Sequence, residues 1–419
     1  MSVVRSRLDS GVRVVTEAMP SLRSVSVGFW AGAGSRDEPN ELHGASHFLE
    51  HLLFKGTERR SAHDIADAVE AVGGDMNAFT TQELTAFYVR VPDVHLDLAL
   101  DILADVFWAP AIRPDELEAE RQVILEEIRM RDDASDELVH DLFAAAQFPG
   151  HPLGREVLGT RSSVAVMTRD GVAGYHQRHY VPESLVVAAA GNLDHDHVVA
   201  RVAELSPTSA MGAPVREAIA EGAPPQPLAF VTRPTEQAHV VLGCRGIARN
   251  DPGRYALAVL NQVLGGGMSS RLFQEVRERR GLAYSVYSYR ASFTETGSLA
   301  VYVGTAPERV DEALDVIHAE LDRLVADGGV TDRELDAAKG HLRGSLALSL
   351  ETSMSRMHRI GSSELTLGEI PTLDEVTARI DAVGADDIGR LVDRLLAGTA
   401  RTLAVVGPFE EHDLQTRVA

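Results

Sequence analysis

Apolar and polar residues alternate along MSVVRSRLDSGVRVVTEAMP, with Asp9-Ser10-Gly11 near its middle, a pattern that predicts a β-hairpin. Alternation returns in Ser24–Trp30 and in Thr85–Val91 (TAFYVRV), which read as strands. Ser61 is placed to cap a helix that runs through Ile65, Val69 and Val72 and stops at Gly73-Gly74. Asp93–Phe107 and Pro114–Met130 have helical spacing, and Ser184–Ala190 (SLVVAAA) is a strand closed by Gly191-Asn192. From Ser206 to Pro227 the pattern fades into Pro207, Pro214, Pro224, Pro225 and Pro227 with small residues between them, which reads as an interdomain linker.

Beyond the linker the pattern begins again. SRDEPN (35–40) is answered by ARNDPG (248–253), and VPDVHLDLALDIL (91–103) by TAPERVDEALDVI (305–317). RPDELEAE (113–120) is answered by TDRELDAA, where Glu334 matches Glu116, and Gly407 in RTLAVVGPFE matches Gly191. The offset stays between 213 and 218 across the half, the mark of a duplicated domain. The expected fold is α+β: two homologous α/β sandwich domains, mostly antiparallel in their sheets, with helices packed on one face. Residues 1–205 form the first, 206–227 the linker and 228–419 the second.

Composition narrows the choice of partner. With 62 acidic against 40 basic residues and a net charge of -22, nucleic acid and anionic membrane are poor partners, whereas cationic peptides suit the chain. The single cysteine, Cys244, excludes an intrachain disulfide or a cysteine-built metal site. The N-terminal stretch reads as hairpin and not signal peptide, and no uncharged apolar run approaches a membrane span. A cytoplasmic location is expected.

Candidate chemistry centres on His47-Phe48-Leu49-Glu50-His51, within GASHFLEHLLFKGT (44–57). Histidines four apart on a helix lie on one face and can share a metal ion. The intervening glutamate is placed to take a proton from water at that metal, as in the inverted H-x-x-E-H motif. A buried core helix with hydrogen-bonded histidines is the bland alternative, and His43 falls on the same face. The repeat supplies a control. Leu260, Val263 and Leu264 hold the positions of His47, Glu50 and His51 in the second copy, so the scaffold alone does not require the polar set.

A third ligand is sought on Pro114–Met130. Leu117, Ile124 and Ile128 form its apolar stripe, and Glu120 and Glu127 lie along one edge of it, where a carboxylate is costly unless paired or metal-bound. Ala338 and Ser345 replace them in the second copy. Glu127 is the better third ligand, and Glu120 the group orienting a ligand histidine.

HFLEHLLFKGT, Gly73-Gly74 with Asn77-Ala78-Phe79-Thr80, and the glutamate of EEIRM together resemble the pitrilysin–insulinase zinc peptidases, in particular the mitochondrial processing peptidase and its bacterial relatives. The resemblance spans nearly the whole chain. It implies one Zn²⁺ per chain on His47, His51 and Glu127, with Glu50 as general base in peptide-bond hydrolysis. His43 stands where relatives often have Asn, so it is read as a helix-start residue. Gly265, Gly266 and Gly267 look like the glycine-rich loop of the processing peptidase's non-catalytic subunit. Arg277 and Tyr284 have the family's arginine–tyrosine spacing, a pair that implies contact with the substrate carbonyl and its oxyanion.

In that family the substrate adds as a β strand to the segment carrying Asn77, Ala78 and Phe79. Acidic residues at the positions of Glu137 and Asp141 receive an arginine near the cleavage site. One chain here carries both the metal motif and the glycine-rich loop, which implies a homodimer enclosing a chamber for peptides or unfolded chains. The alternatives are a non-catalytic scaffold like the core subunits of a respiratory complex, and a catalytic subunit that needs a different partner chain.

Overall fold

The computed structural model describes residues 3–208, 212, 216, 223–414 and 417, so most of the expected linker lies outside the described residues. The chain runs β1 (Val3–Arg7), β2 (Arg13–Ala18), β3 (Ser24–Ala31), α1 (Ala45–Leu53), α2 (Ala62–Glu70), β4 (Asp75–Thr80), β5 (Thr85–Pro92) and α3 (Leu96–Trp108). It continues through α4 (Pro114–Asp133), α5 (Ser135–Gln147), α6 (Arg161–Val166), α7 (Arg169–His179), β6 (Leu185–Gly191) and α8 (His195–Leu205). The second half adds β7 (Leu228–Thr232), β8 (Ala238–Gly246), α9 (Arg254–Gly265), a π-helix (Phe273–Arg279), β9 (Ala283–Ser292) and β10 (Gly297–Thr305). Then come α10 (Val310–Ala326), α11 (Asp332–Ser349), α12 (Ser353–Thr366), α13 (Leu373–Asp381), α14 (Ala385–Leu395) and β11 (Thr402–Gly407).

Local signals account for the elements. β1 and β2 form the hairpin, with Arg7 opposite Arg13. The Ser61 hydroxyl accepts from the Asp64 N–H at 3.2 Å to cap α2. After α2 the Gly74 N–H returns to the Val69 carbonyl, with Gly73 at φ +72°, so the glycine pair ends the helix as expected.

Two compact units result. The first comprises Met1–Arg129, Arg155–Glu217 and Ser349–Ile370; the second comprises Met130–Gly154, Ala218–Leu348 and Pro371–Ala419. Among the described residues the first holds a six-stranded sheet ordered β1-β2-β6-β3-β5-β4, antiparallel except for β2 against β6. The second holds a five-stranded sheet ordered β7-β11-β8-β10-β9, antiparallel except for β7 against β11. Setting β1 aside, the orders correspond strand for strand, as duplication requires.

Most helices lie on one face of each sheet. In the first unit Val27, Phe29, Phe87 and Val89 meet Leu49 of α1 and Leu100 and Phe107 of α3 in one buried core. The opposite face is closed by a single helix from the other half of the chain. Met357 and Ile360 of α12 pack on Trp30, Ala86, Val186 and Ala188 in the first unit. Val139 and Phe143 of α5 pack on Val241, Ala300, Ala404 and Val406 in the second. Each buried Val, Ile, Met or Phe side chain among them contributes roughly 1.5–3 kcal/mol. Gly361 is required by this contact, because a Cβ there would stand 2.4 Å from the Trp30 indole nitrogen.

Candidate metal centre

α1 is held by its start as much as by its apolar side. Gly44 adopts φ +99°, and a Cβ on it would lie 2.8 Å from the Leu158 carbonyl. Glu38, buried in the loop before it, accepts from the Gly44 and Ser46 N–H groups at 2.7 Å each and caps the helix from outside. Burial pushes the Glu38 carboxyl up to about 7 against those hydrogen bonds. The Ser46 and Tyr175 hydroxyls are 3.0 Å apart. Glu38 was not singled out from sequence, since a loop residue carries no periodic signal. His43 bonds the Glu156 carbonyl at 2.8 Å and stands at the entry to α1, consistent with a helix-start role.

With Phe48, Leu49, Leu52 and Leu53 buried, α1 turns His47 and His51 towards α4, their ring centroids 4.7 Å apart. Glu127 of α4 places Oε2 3.6 Å from His47 Nε2 and 3.6 Å from His51 Nε2. That spacing is too long for hydrogen bonds. It suits atoms sharing a tetrahedral centre with bonds of about 2.0–2.2 Å, whose ligands stand roughly 3.3–3.6 Å apart. Glu127 Oε2 is buried and has no hydrogen-bond partner. Of the described histidines, cysteines and carboxylates, His47, His51 and Glu127 form the group of three able to hold a metal ion. The residues fit a zinc ion.

Neighbouring groups tune the site. Glu120 accepts from His51 Nδ1 at 2.9 Å, directing Nε2 at the cluster, and its other oxygen pairs with Lys55 at 2.7 Å. Burial pushes the Glu120 carboxyl up, but hydrogen bonds from Lys55 and His51 outweigh it and hold the group below its usual value. Burial and the neighbouring His51 lower His47 to about 4, so its imidazole is neutral and ready to ligate at neutral pH. Glu50 is raised by burial, with the Thr80 hydroxyl and His51 opposing and Glu127 adding to the rise.

Of the remaining residues singled out from sequence, Asn77, Ala78 and Phe79 lie on β4, which among the described residues pairs with β5 alone and forms one edge of the sheet. Phe79 stacks on His358 of α12 at 5.6 Å. In the second unit the Arg277 guanidinium lies 4.7 Å over the Tyr284 ring and donates to the Tyr284 carbonyl at 2.9 Å. The Tyr284 side chain is exposed. Glu137 is exposed on α5, while Asp141 is paired with Arg131 at 2.9 Å. Gly265 ends α9 against β9, where a Cβ would stand 2.3 Å from the Ser288 nitrogen, and Gly266 and Gly267 follow it against Gln262. Cys244 is buried and unpaired. No helix among the described residues is long and apolar enough to cross a membrane.

An H-x-x-E-H helix, a distant glutamate beside it and a duplicated α/β fold together define a candidate inverted-motif metal site. The family model for insulinase (peptidase family M16) matches residues 13–161, and that for the peptidase M16 inactive domain matches residues 167–342. An uncharacterized zinc protease of Streptomyces coelicolor is 48% identical over 98% of this chain and 90% of its own length. The chain belongs to peptidase family M16, the insulinase family. A protease from Helicobacter pylori has the same fold, with TM-score 0.90 at 23% identity over 97% of this chain and 99% of that one. So does a chain of complex III2 from Candida albicans, with TM-score 0.84 at 21% identity and full coverage of both.

Proposed function

We propose that this chain is a zinc metallopeptidase that hydrolyses peptides or unfolded polypeptides held as an extended strand. One observation carries the reading: Glu127 Oε2, buried and unpartnered, stands 3.6 Å from both imidazole nitrogens, with the half-buried Glu50 on the helix of the two histidines. The relatives named zinc proteases support it. When bound, zinc supplies a Lewis acid and a water of lowered pKa. Glu50, its carboxyl raised by burial, takes the proton from the attacking water and returns it to the leaving amine. Glu120 fixes the His51 ring through Nδ1.

The open edge of β4 offers backbone groups at Asn77, Ala78 and Phe79 to an incoming strand. Arg277 and Tyr284, already stacked on each other, hydrogen-bond the substrate carbonyl and the oxyanion it becomes. Glu137 receives a substrate arginine; Asp141 shares Arg131 and contributes less. The glycines at 265–267 border the substrate path. The reading extends to a cytoplasmic homodimer in which one protomer's Arg277 and Tyr284 serve the partner's zinc.

Cleavage of a quenched, arginine-containing unfolded peptide tests it, with wild type and Glu50→Gln both assayed for zinc. Wild type is expected to cut, and the zinc-loaded variant to be slower by about 10²–10⁴-fold, the scale of general acid–base catalysis. Wild type that takes up no zinc when it is supplied sinks the reading in favour of a scaffold.

A further inference from the structure

The part of the second unit that corresponds to the metal centre is a cavity of about 580 Å³, within the range of small-molecule sites. Val263 and Ala338, which hold the positions of Glu50 and Glu120, line its apolar side. Its polar side comes from other elements. Arg271, at the start of the helical segment that runs into the π-helix, grips Glu334 of α11 through Nε and Nη2 at 2.6 and 2.8 Å, while its Nη1 is buried without a hydrogen-bond partner. Ser270, 3% exposed, has no partner for its hydroxyl. Glu320 of α10, 2% exposed, pairs one oxygen with Arg323 at 2.9 Å and leaves the other buried and unpartnered.

Three unpartnered polar groups from two elements around one cavity are costly, at about 1–3 kcal/mol each. The fold does not need them. Under the correspondence of the two copies Glu320 takes the place of Val106, a fully buried core residue of α3. Burial pushes the Glu320 carboxyl up and Glu275 adds to the rise, while Arg323, Arg271 and Arg280 oppose it without cancelling it. The stretch lining the cavity also includes a π-helix turn, a conformation met mostly at functional sites.

We propose that this cavity binds a free di- or tripeptide as its zwitterion, the carboxylate on Arg271 Nη1 and the Ser270 hydroxyl, the ammonium on the free oxygen of Glu320. The ammonium donates to the Glu320 oxygen that has no partner, and the carboxylate occupies the two unused donors. The apolar wall at Val263 and Ala338 takes the side chains. Binding here needs neither zinc nor hydrolysis, so the proposal and the peptidase reading fail independently.

The test is isothermal titration of Ala-Ala into the full-length Glu50→Gln protein, alone and with either Glu320→Gln or Ala337→Tyr added. Ala337 lines the mouth from an exposed position on α11, so a tyrosine there narrows the cavity without touching the buried ion pair. Ala-Ala is expected to bind, at least tenfold more weakly with either added substitution. N-acetyl-Ala-Ala and Ala-Ala amide, each lacking one charge, are expected to lose at least tenfold as well. Absence of binding overturns the proposal. So does an affinity for Ala-Ala untouched by Ala337→Tyr, or equal affinity for the doubly blocked peptide. Because Ala337 is exposed, that arm stands even if Glu320→Gln does not fold.

Discussion

His47, Glu50 and His51 stand on a helix whose counterpart in the second unit carries Leu260, Val263 and Leu264. Both helices bury an apolar side against a sheet of the same strand order, so strand pairing and core packing are satisfied with or without the polar set. The difference separates what the fold needs from what chemistry needs. In the first unit the polar groups converge on one point and leave a carboxylate oxygen without a hydrogen bond; in the second the same place is apolar on one side, and the charges arrive from the helical segment that follows α9, from α10 and from α11.

The comparison is broken most completely by moving the second unit's residues into the first. The triple substitution His47→Leu, His51→Leu, Glu127→Ser is expected to fold, bind no zinc and cut no peptide. Its melting temperature should equal or exceed that of chelator-treated wild type, because two apolar residues and a small neutral one replace a half-buried cluster of ionisable groups. Thermal melts and a zinc assay check this, and failure to fold would show the cluster to be structural.

A smaller effect is expected from Glu120→Gln, which keeps the shape and weakens the hold on His51 Nδ1. Zinc affinity, read by competition with a chelator, should fall about 10–100-fold. Unchanged affinity would mean that Glu120 serves only Lys55.

The smallest effect concerns the second unit alone. Burial raises the Glu334 carboxyl, but Arg271 and the Thr331 N–H and hydroxyl more than reverse that and hold it at about 2. The folded value lies below the unfolded one, near 4.5, so its stabilisation is complete above that pH and is lost as pH falls towards 2. Glu334→Gln should melt lower than wild type at neutral pH, with the gap closing as the pH approaches 2. A gap that widens on acidification would contradict the assignment.

Much of this was legible in the sequence because it depends on periodicity and repetition. Duplication, the hairpin, α1 and the trio His47, His51 and Glu127 all follow from spacing. The exchange of α5 and α12 does not, because an amphipathic stripe shows that a helix is buried and not which sheet buries it. Glu320 was missed although its signal was present. It interrupts the stripe of Val310, Ala313, Leu314, Ile317, Leu321 and Leu324, the same kind of misplaced carboxylate that drew attention to Glu120. Ser270 and Arg271 sit where the loop after α9 turns into the next helix, too near its start to break a stripe, and only the fold brings them to the cavity.

The exchanged helices set a schedule for the chain as it is made. The sheet of the first unit has its last strand when residue 191 has been synthesised, yet the helix that covers its second face begins at residue 353. At roughly 5–20 residues per second, Trp30, Val186 and Ala188 wait on the order of 8–32 s for their cover. A nascent chain therefore shows the cell a bare apolar sheet face even though His47, His51 and Glu127 have already been made, and a message truncated after the first half would leave that face bare for good.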